Sequence, residues 1–529
     1  MATKGDDHQP FSVKEQLPGV DFCVTSSPSW AETAFQGFQH YLVMLGTTVI
    51  VSSSLAPLMG GGNLEKAELI NTLLLSCGIN TLLQTLFGSR LPVVMGGSYA
   101  SLIPAISITL SNASNQSSSS SSPREMFKQS MRALQGALIM ASLLQMVIGF
   151  FGFWRILARF LSPLAASPLV ILTGLGLYAH GFPQLAKCVE LGLPTLLLLV
   201  FISQYLSSMA KGFRVVYERY AVLISVIIMW IFAEILTGGG AYNNARLKTQ
   251  QSCRTDRAGI ISGSPWVTIP YPFQWGSPTF NAGDSFAMMS ASFVAVIETT
   301  GVLIAAYRYG SATPLPPSIL SRGVGWQGVA TFINGSFGAV SVSTASVGNV
   351  GLMGFTRIGS RRVVQISAGY MIFFSFLGKF GAILASIPLP IFAAIYCILF
   401  GYVAAAGIGL LQFCNLNSFR TKFILGISLF LGLSVPQYFN ESLLLTGYGP
   451  VHSGSKAFNN IMQVLFSSPA TVAVAVSFFL DKTHTINQSE TRVDSGIHWW
   501  EKFNAFGRDV RSEEFYSLPW ELNKFFPSY

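Results

Sequence analysis

Val342-Ser-Thr-Ala-Ser-Val-Gly-Asn-Val-Gly351 stands where a membrane span is due, yet it is short for one and crowded with Gly, Ser and Thr. Met95-Gly-Gly-Ser-Tyr-Ala-Ser101 has the same character much earlier in the chain. Backbone that is not helical leaves N–H and C=O groups unpaired, which a bilayer tolerates only where protein or a ligand satisfies them. Small residues in such segments also serve close helix packing. Matched interruptions in two halves of a chain, however, point to an inverted repeat whose broken elements meet near the bilayer midplane.

The surroundings are those of a membrane protein. Of 529 residues, 50% are hydrophobic and 10% charged, against about 25% charged in an ordinary soluble domain; mean hydropathy is +0.50. Apolar windows of about 20 residues predict spans near residues 36–58, 69–87, 93–110, 133–153, 163–180, 191–209 and 220–236. A second set falls near 285–307, 326–340, 342–355, 363–387, 389–413, 422–438 and 461–480. The expected fold class is therefore an all-α membrane protein of about fourteen segments in two inverted seven-span repeats, with short or broken segments three and ten. The repeats occupy about 36–240 and 285–480, within a transmembrane domain of 31–480.

Residues 1–30 and 481–529 are expected to be cytoplasmic tails, and the first lacks the apolar core of a cleavable signal. Lys and Arg in short loops set orientation. With the N-terminus inside, the inner loops carry Arg90, Arg155, Arg159, Lys211, Arg214, Arg219, Arg308, Arg322, Arg357, Arg361, Arg362, Arg420 and Lys422, and the short outer ones only Lys66, Lys187 and Lys456. The same orientation puts the serine run 117–122 and the glycosylation sequons at Asn112, Asn115 and Asn440 outside. The formal charge of +9 is spread over these loops and forms no basic stripe, which argues against nucleic acid. Six cysteines show no metal-type spacing; Cys188 and Cys253 alone fall in outer loops, compatible with a disulfide.

Glu298 lies in mid-span within Met289-Ser-Ala-Ser-Phe-Val-Ala-Val-Ile-Glu-Thr-Thr-Gly301. Ala287, Ala291, Val294, Glu298, Gly301 and Ala305 share one narrow helix face, which should turn inward. A carboxylic acid held away from water favours its neutral form, so it can hold a proton, bond a solute and release the proton on one side. A structural pairing between helices is the alternative. His40 and Gln39 in the first span offer a second polar group. Lys379 reads as a snorkelling cation. Gly323-Val-Gly-Trp-Gln-Gly328 has the form of a dinucleotide fingerprint without a preceding strand, so no enzyme activity and no bound cofactor is expected.

These residues carry a resemblance. Gly37-Phe-Gln-His-Tyr41, Gly96-Gly-Ser-Tyr-Ala100, Val296-Ile-Glu-Thr-Thr-Gly301, Ser321-Arg-Gly-Val-Gly-Trp-Gln-Gly328, Thr356-Arg-Ile-Gly-Ser-Arg-Arg-Val-Val-Gln-Ile-Ser367 and the tail Ser512-Glu-Glu-Phe-Tyr-Ser517 resemble the nucleobase-ascorbate transporters of the nucleobase cation symporter 2 family, plant-type members above all. The family signature is Gln, Glu or Pro, then Asn, any residue, Gly, four of any kind, Thr, and Arg, Lys or Gly. Here it reads Gly348-Asn349-Val-Gly351-Leu-Met-Gly-Phe-Thr356-Arg357, so the first position lacks the side chain that contacts the base in the family.

The resemblance implies a core domain of spans one to four and eight to eleven, and a gate domain of the rest through which a homodimer forms. It implies substrate contacts at Glu298, Gly348, Asn349, Ser98 and Tyr99, with His40, Gly351 and Thr356 as support and Glu298 coupling to a proton. The function it implies is proton-coupled symport of a nucleobase, of xanthine, uric acid, uracil or adenine type, at the plasma membrane. Two alternatives stand beside it: a non-transporting sensor in which Gly348 has disabled the site, and an anion exchanger on the same architecture, against which Glu298 argues.

Overall fold

Ser29 starts the first long helix by accepting a hydrogen bond from the Glu32 N–H, which satisfies a donor that a helix start leaves orphaned. In this computed structural model α1 (Trp30–Leu55) is followed by α2 (Asn63–Leu86), the strand β1 (Met95–Gly97), α3 (Leu102–Gln116), α4 (Pro123–Phe150) and α5 (Pro163–Leu175). Next come α6 (Val189–Val200, continued by a π-helical turn Phe201–Leu206) and α7 (Arg214–Gly238). The second half runs α8 (Ala282–Tyr309), α9 (Pro317–Phe337), β2 (Ser343–Ala345), α10 (Val347–Thr356), α11 (Arg361–Phe376), α12 (Leu389–Gly409) and α13 (Phe419–Thr446). The last, α14, has two pieces, Lys456–Phe466 and Pro469–Thr483.

The structure describes residues 16–116, 122–209, 211–256, 261 and 264–526. The expected serine run lies outside them except for Ser122, as do the side chains of Asn112 and Asn115 and the first half of the N-terminal tail.

The two interrupted segments meet. β1 and β2 pair antiparallel, with Met95 opposite Ala345, Gly96 opposite Thr344 and Gly97 opposite Ser343. The bonds around the pair come in matched sets. Ser98 N–H donates to Val342 O at 2.9 Å and Ser346 N–H to Val94 O at 2.8 Å. Met95 N–H donates to Thr81 Oγ1 at 2.9 Å, and Ser343 N–H to Thr331 Oγ1 at 3.2 Å. Helix packing follows the same relation: α4 lies on α9 and α8, as α11 lies on α2 and α1. A backbone that would be unpaired in lipid is thus paired with its own counterpart.

Seven helical stretches of the described residues are long and apolar enough to cross a membrane, nine when two bent pairs count as one span each. α1, α3, α9 and α10 fall short of that measure, α3 and α10 because they are only 15 and 10 residues long. Their polar residues, among them Gln36, Gln39, His40, Gln327, Thr331, Asn334 and Asn349, are buried. The predicted span 326–340 is corrected accordingly: α9 begins at Pro317. Arg322, read as a loop cation, is buried inside that helix, donating from Nε to Gly88 O at 2.7 Å and from Nη2 to Tyr516 O at 2.9 Å. The spans 363–387 and 461–480 are each broken, by 110° after Phe376 and by 82° after Phe466.

Cys188 and Cys253, 65 positions apart, form a disulfide. The segment after α14 is docked rather than loose: Phe503, Phe515 and Tyr516 are buried. Arg361 Nη2 donates to Phe515 O at 2.8 Å, and Asn415 N–H to Asp494 O at 3.2 Å.

Candidate functional site

Glu298 lies halfway along α8, whose start Asn281 caps by accepting from Gly283 N–H at 2.8 Å and Asp284 N–H at 3.3 Å. Ala287, Ala291, Val294 and Ala305 on its face are at most 3% exposed, while Glu298 itself is partly accessible. The carboxyl therefore looks into an internal space and not into lipid. Two hydroxyls reach it, one at each oxygen. Ser98 Oγ donates to Oε2 at 3.4 Å and Ser468 Oγ donates to Oε1 at 3.4 Å.

Both serines cap helix starts. Ser98 Oγ accepts from Ala100 N–H at 3.2 Å where the chain turns from β1 into α3. Ser468 Oγ accepts from Thr471 N–H at 3.4 Å at the break in α14, with Pro469 in the first turn. A third start converges nearby, where Ser346 caps α10 through Asn349 N–H. Helix starts carry orphaned N–H donors and partial positive charge, so the site favours electron-rich oxygens and nitrogens. Hydrogen bonds of 3.4 Å are long and leave the carboxyl free to exchange partners.

Beside Glu298 is a small cavity, about 580 Å³ of empty space when the open solvent at its mouth is included. Gly96, Gly97, Tyr99, Thr344, Ser346 and Gly348 line it on the side of the broken segments; Thr173, Leu177, Phe400 and Pro469 line it on the other. Phe400 stacks on Tyr396 with centroids 5.2 Å apart and planes 5° apart, and the Tyr396 hydroxyl donates to Val43 O at 2.7 Å. One flat wall and a few convergent polar groups suit a small planar solute.

Of the expected contacts, Glu298, Gly348 and Tyr99 border this cavity and Ser98 bonds Glu298. Asn349 turns away from it. Its Nδ2 donates to His40 O at 2.8 Å and lies 3.1 Å from His40 Nδ1, while Ser346 Oγ donates to its Oδ1 at 2.7 Å. Asn349 and His40 thus join α10 to α1 behind the cavity. Gly351 lets α10 approach α12, since a Cβ there would fall 2.1 Å from Leu399 O. Thr356 bonds its own helix at Leu352 O. Ser468, His180 and Phe400 were missed from sequence. The Ser468-Pro469 pair inside a predicted span is a helix-start signal that would have exposed the break, whereas nothing local marks His180.

Comparison with known proteins agrees with the resemblance. A model of the "Permease family" matches residues 31–441. Nucleobase-ascorbate transporter 4 of Arabidopsis thaliana is 63% identical over 529 residues, covering 100% of both chains. Nucleobase-ascorbate transporter LPE1 of Zea mays is 56% identical over 526 residues, covering 99% of each. Among solved structures, the transmembrane domain of a cyanobacterial bicarbonate transporter, BicA, aligns with TM-score 0.41 at 11% identity, covering 87% of this chain and 98% of that one.

Proposed function

The chain belongs to the nucleobase-ascorbate transporters, multi-pass membrane permeases and not enzymes, and from that premise we propose that it carries a nucleobase by proton-coupled symport. The observation that carries this reading is the setting of Glu298: a single acid at mid-span, held by two hydroxyls from separate helix starts and open to a cavity. In the proposed cycle the protonated acid and the helix starts bind a base of xanthine, uric acid, uracil or adenine type, with the ring against Tyr99. Release of the proton on the inner side weakens that contact.

The movement would be that of a core, α1–α4 with α8–α11, against a gate, α5–α7 with α12–α14. The packing of α12 on α5 and of α14 on α13 and α5 supports that division. Homodimerisation through the gate, cytoplasmic termini and residence in the plasma membrane complete the proposal.

Gly348 supports a second reading, a non-transporting sensor. It lines the cavity without a side chain, and a missing hydrogen bond to a polar ligand weakens binding by about 0.5 to 1.5 kcal/mol. The test for both is uptake of radiolabelled bases in transporter-deficient cells at graded external pH. Symport gives uptake that rises as the outside is acidified, a response lost in Glu298→Gln. Uptake by the wild type that ignores external pH refutes proton coupling. No uptake by the wild type, with uptake gained in Gly348→Glu, supports the sensor.

A further inference from the structure

The Tyr99 ring is stacked against the His180 imidazole, centroids 4.1 Å apart and planes 22° apart. Tyr99 lines the cavity, as do Gly176 and Leu177 just before His180, but His180 itself does not. The imidazole therefore covers one face of the phenol ring, on a residue that also borders the cavity. We propose that His180 is a positioning residue for solute recognition, fixing the Tyr99 ring as the plate on which a flat solute lies. The proposal rests on the transport reading above.

The two rings are mounted on different groups of helices. Tyr99 belongs to the turn between β1 and α3, which packs on α8. His180 ends the turn Tyr178–His180 after α5, which is anchored to α13 by the Tyr178 hydroxyl donating to Gln437 Oε1 at 2.6 Å. The next residue, Gly181, is packed so closely on α12 that a Cβ there would lie 3.1 Å from Cys397 Sγ. The stack is thus a contact between the proposed core and gate. When the core moves, Tyr99 loses its backing, and recognition becomes tied to the conformational state.

Among the described residues His180 Nδ1 has no hydrogen-bond partner although it is shielded from solvent. What His180 offers at this place is a flat ring, which another aromatic residue can supply.

The experiment is initial-rate uptake of labelled xanthine, uric acid, uracil and adenine by wild type, His180→Ala, His180→Leu and His180→Phe, normalised to surface protein. Loss of one aromatic stack should raise KM by about three- to tenfold in His180→Ala and His180→Leu. It should change the maximal rate by less than about twofold and flatten the preference among the four bases. His180→Phe should restore both KM and preference. If His180→Ala does not reach the membrane, His180→Leu against His180→Phe decides, because both fill the space and only one has a ring face.

Equal KM values in wild type and His180→Leu, or a His180→Phe variant no better than His180→Leu, overturn the proposal and leave the transport reading intact. Absence of uptake of every base by the wild type refutes the transport reading, and this proposal with it.

Discussion

Ser468 donates its hydroxyl to Glu298 Oε1 at 3.4 Å across 170 positions of chain. The acid at the centre of α8 is thereby tied to the point where α14 breaks, while its other oxygen is tied through Ser98 to the start of α3. One carboxyl gathers an element from each side of the cavity, so its state bears on the relation between those sides.

Replacing the acid tests this directly. Glu298→Gln keeps size and hydrogen bonding but cannot take up or release a proton. Uptake should fall by at least about tenfold, because a neutral amide cannot carry a proton through the cycle, and any residual uptake should no longer respond to external pH. Initial rates at graded external pH measure both; a variant retaining the wild-type pH response excludes Glu298 as the coupling group.

Two glycines of α10 should behave differently. At Gly351 a Cβ meets backbone, Leu399 O at 2.1 Å, which cannot give way without separating α10 from α12. Gly351→Ala should destabilise the protein by about 1 to 3 kcal/mol, seen as a lower unfolding temperature in detergent. At Gly348 a Cβ meets Val43 Cγ1 at 3.1 Å and Tyr396 Cε1 at 3.4 Å, contacts that a small side-chain shift relieves. Gly348→Glu should fold and should change which base is preferred, as measured by competition uptake.

The Cys188–Cys253 bridge closes a loop of 65 positions. A crosslink of that span removes about 4 kcal/mol of unfolded-chain entropy in the loop-closure model. Cys253→Ser should therefore lower the unfolding temperature, and added reductant should lower that of the wild type but not of the variant.

Arg322 ties the chain's end to the helix layer by donating to Gly88 O and Tyr516 O. The Tyr516 hydroxyl also donates to Thr313 O at 2.5 Å. Arg322→Ala leaves buried carbonyls unpaired, at about 1 to 3 kcal/mol each, and should release the segment around Phe515. Limited proteolysis of the protein in detergent should then cut C-terminal to α14 faster than in wild type.

The membrane class, the two matched interruptions and the mid-span acid were legible because each is a local property: apolar length, Gly and Ser crowding, one charge among Val, Ile and Ala. Where reading failed, the signal was not local. Arg322 looked like a loop cation because a charge in a helix interior is costly, and the carbonyls that satisfy it come from Gly88 and from Tyr516, far away in the chain. Asn349 belongs to a signature, yet its amide serves His40 and not the cavity.

By itself, then, the sequence determined that this chain lives in a bilayer, that segments three and ten are interrupted and which acid lies between them, since hydrophobicity and backbone preference act over a few residues. Tertiary structure alone decided that β1 pairs with β2, that Ser468 reaches Glu298 and that His180 backs Tyr99. Those are meetings of distant residues, and they are fixed by how helices pack, which no single segment encodes.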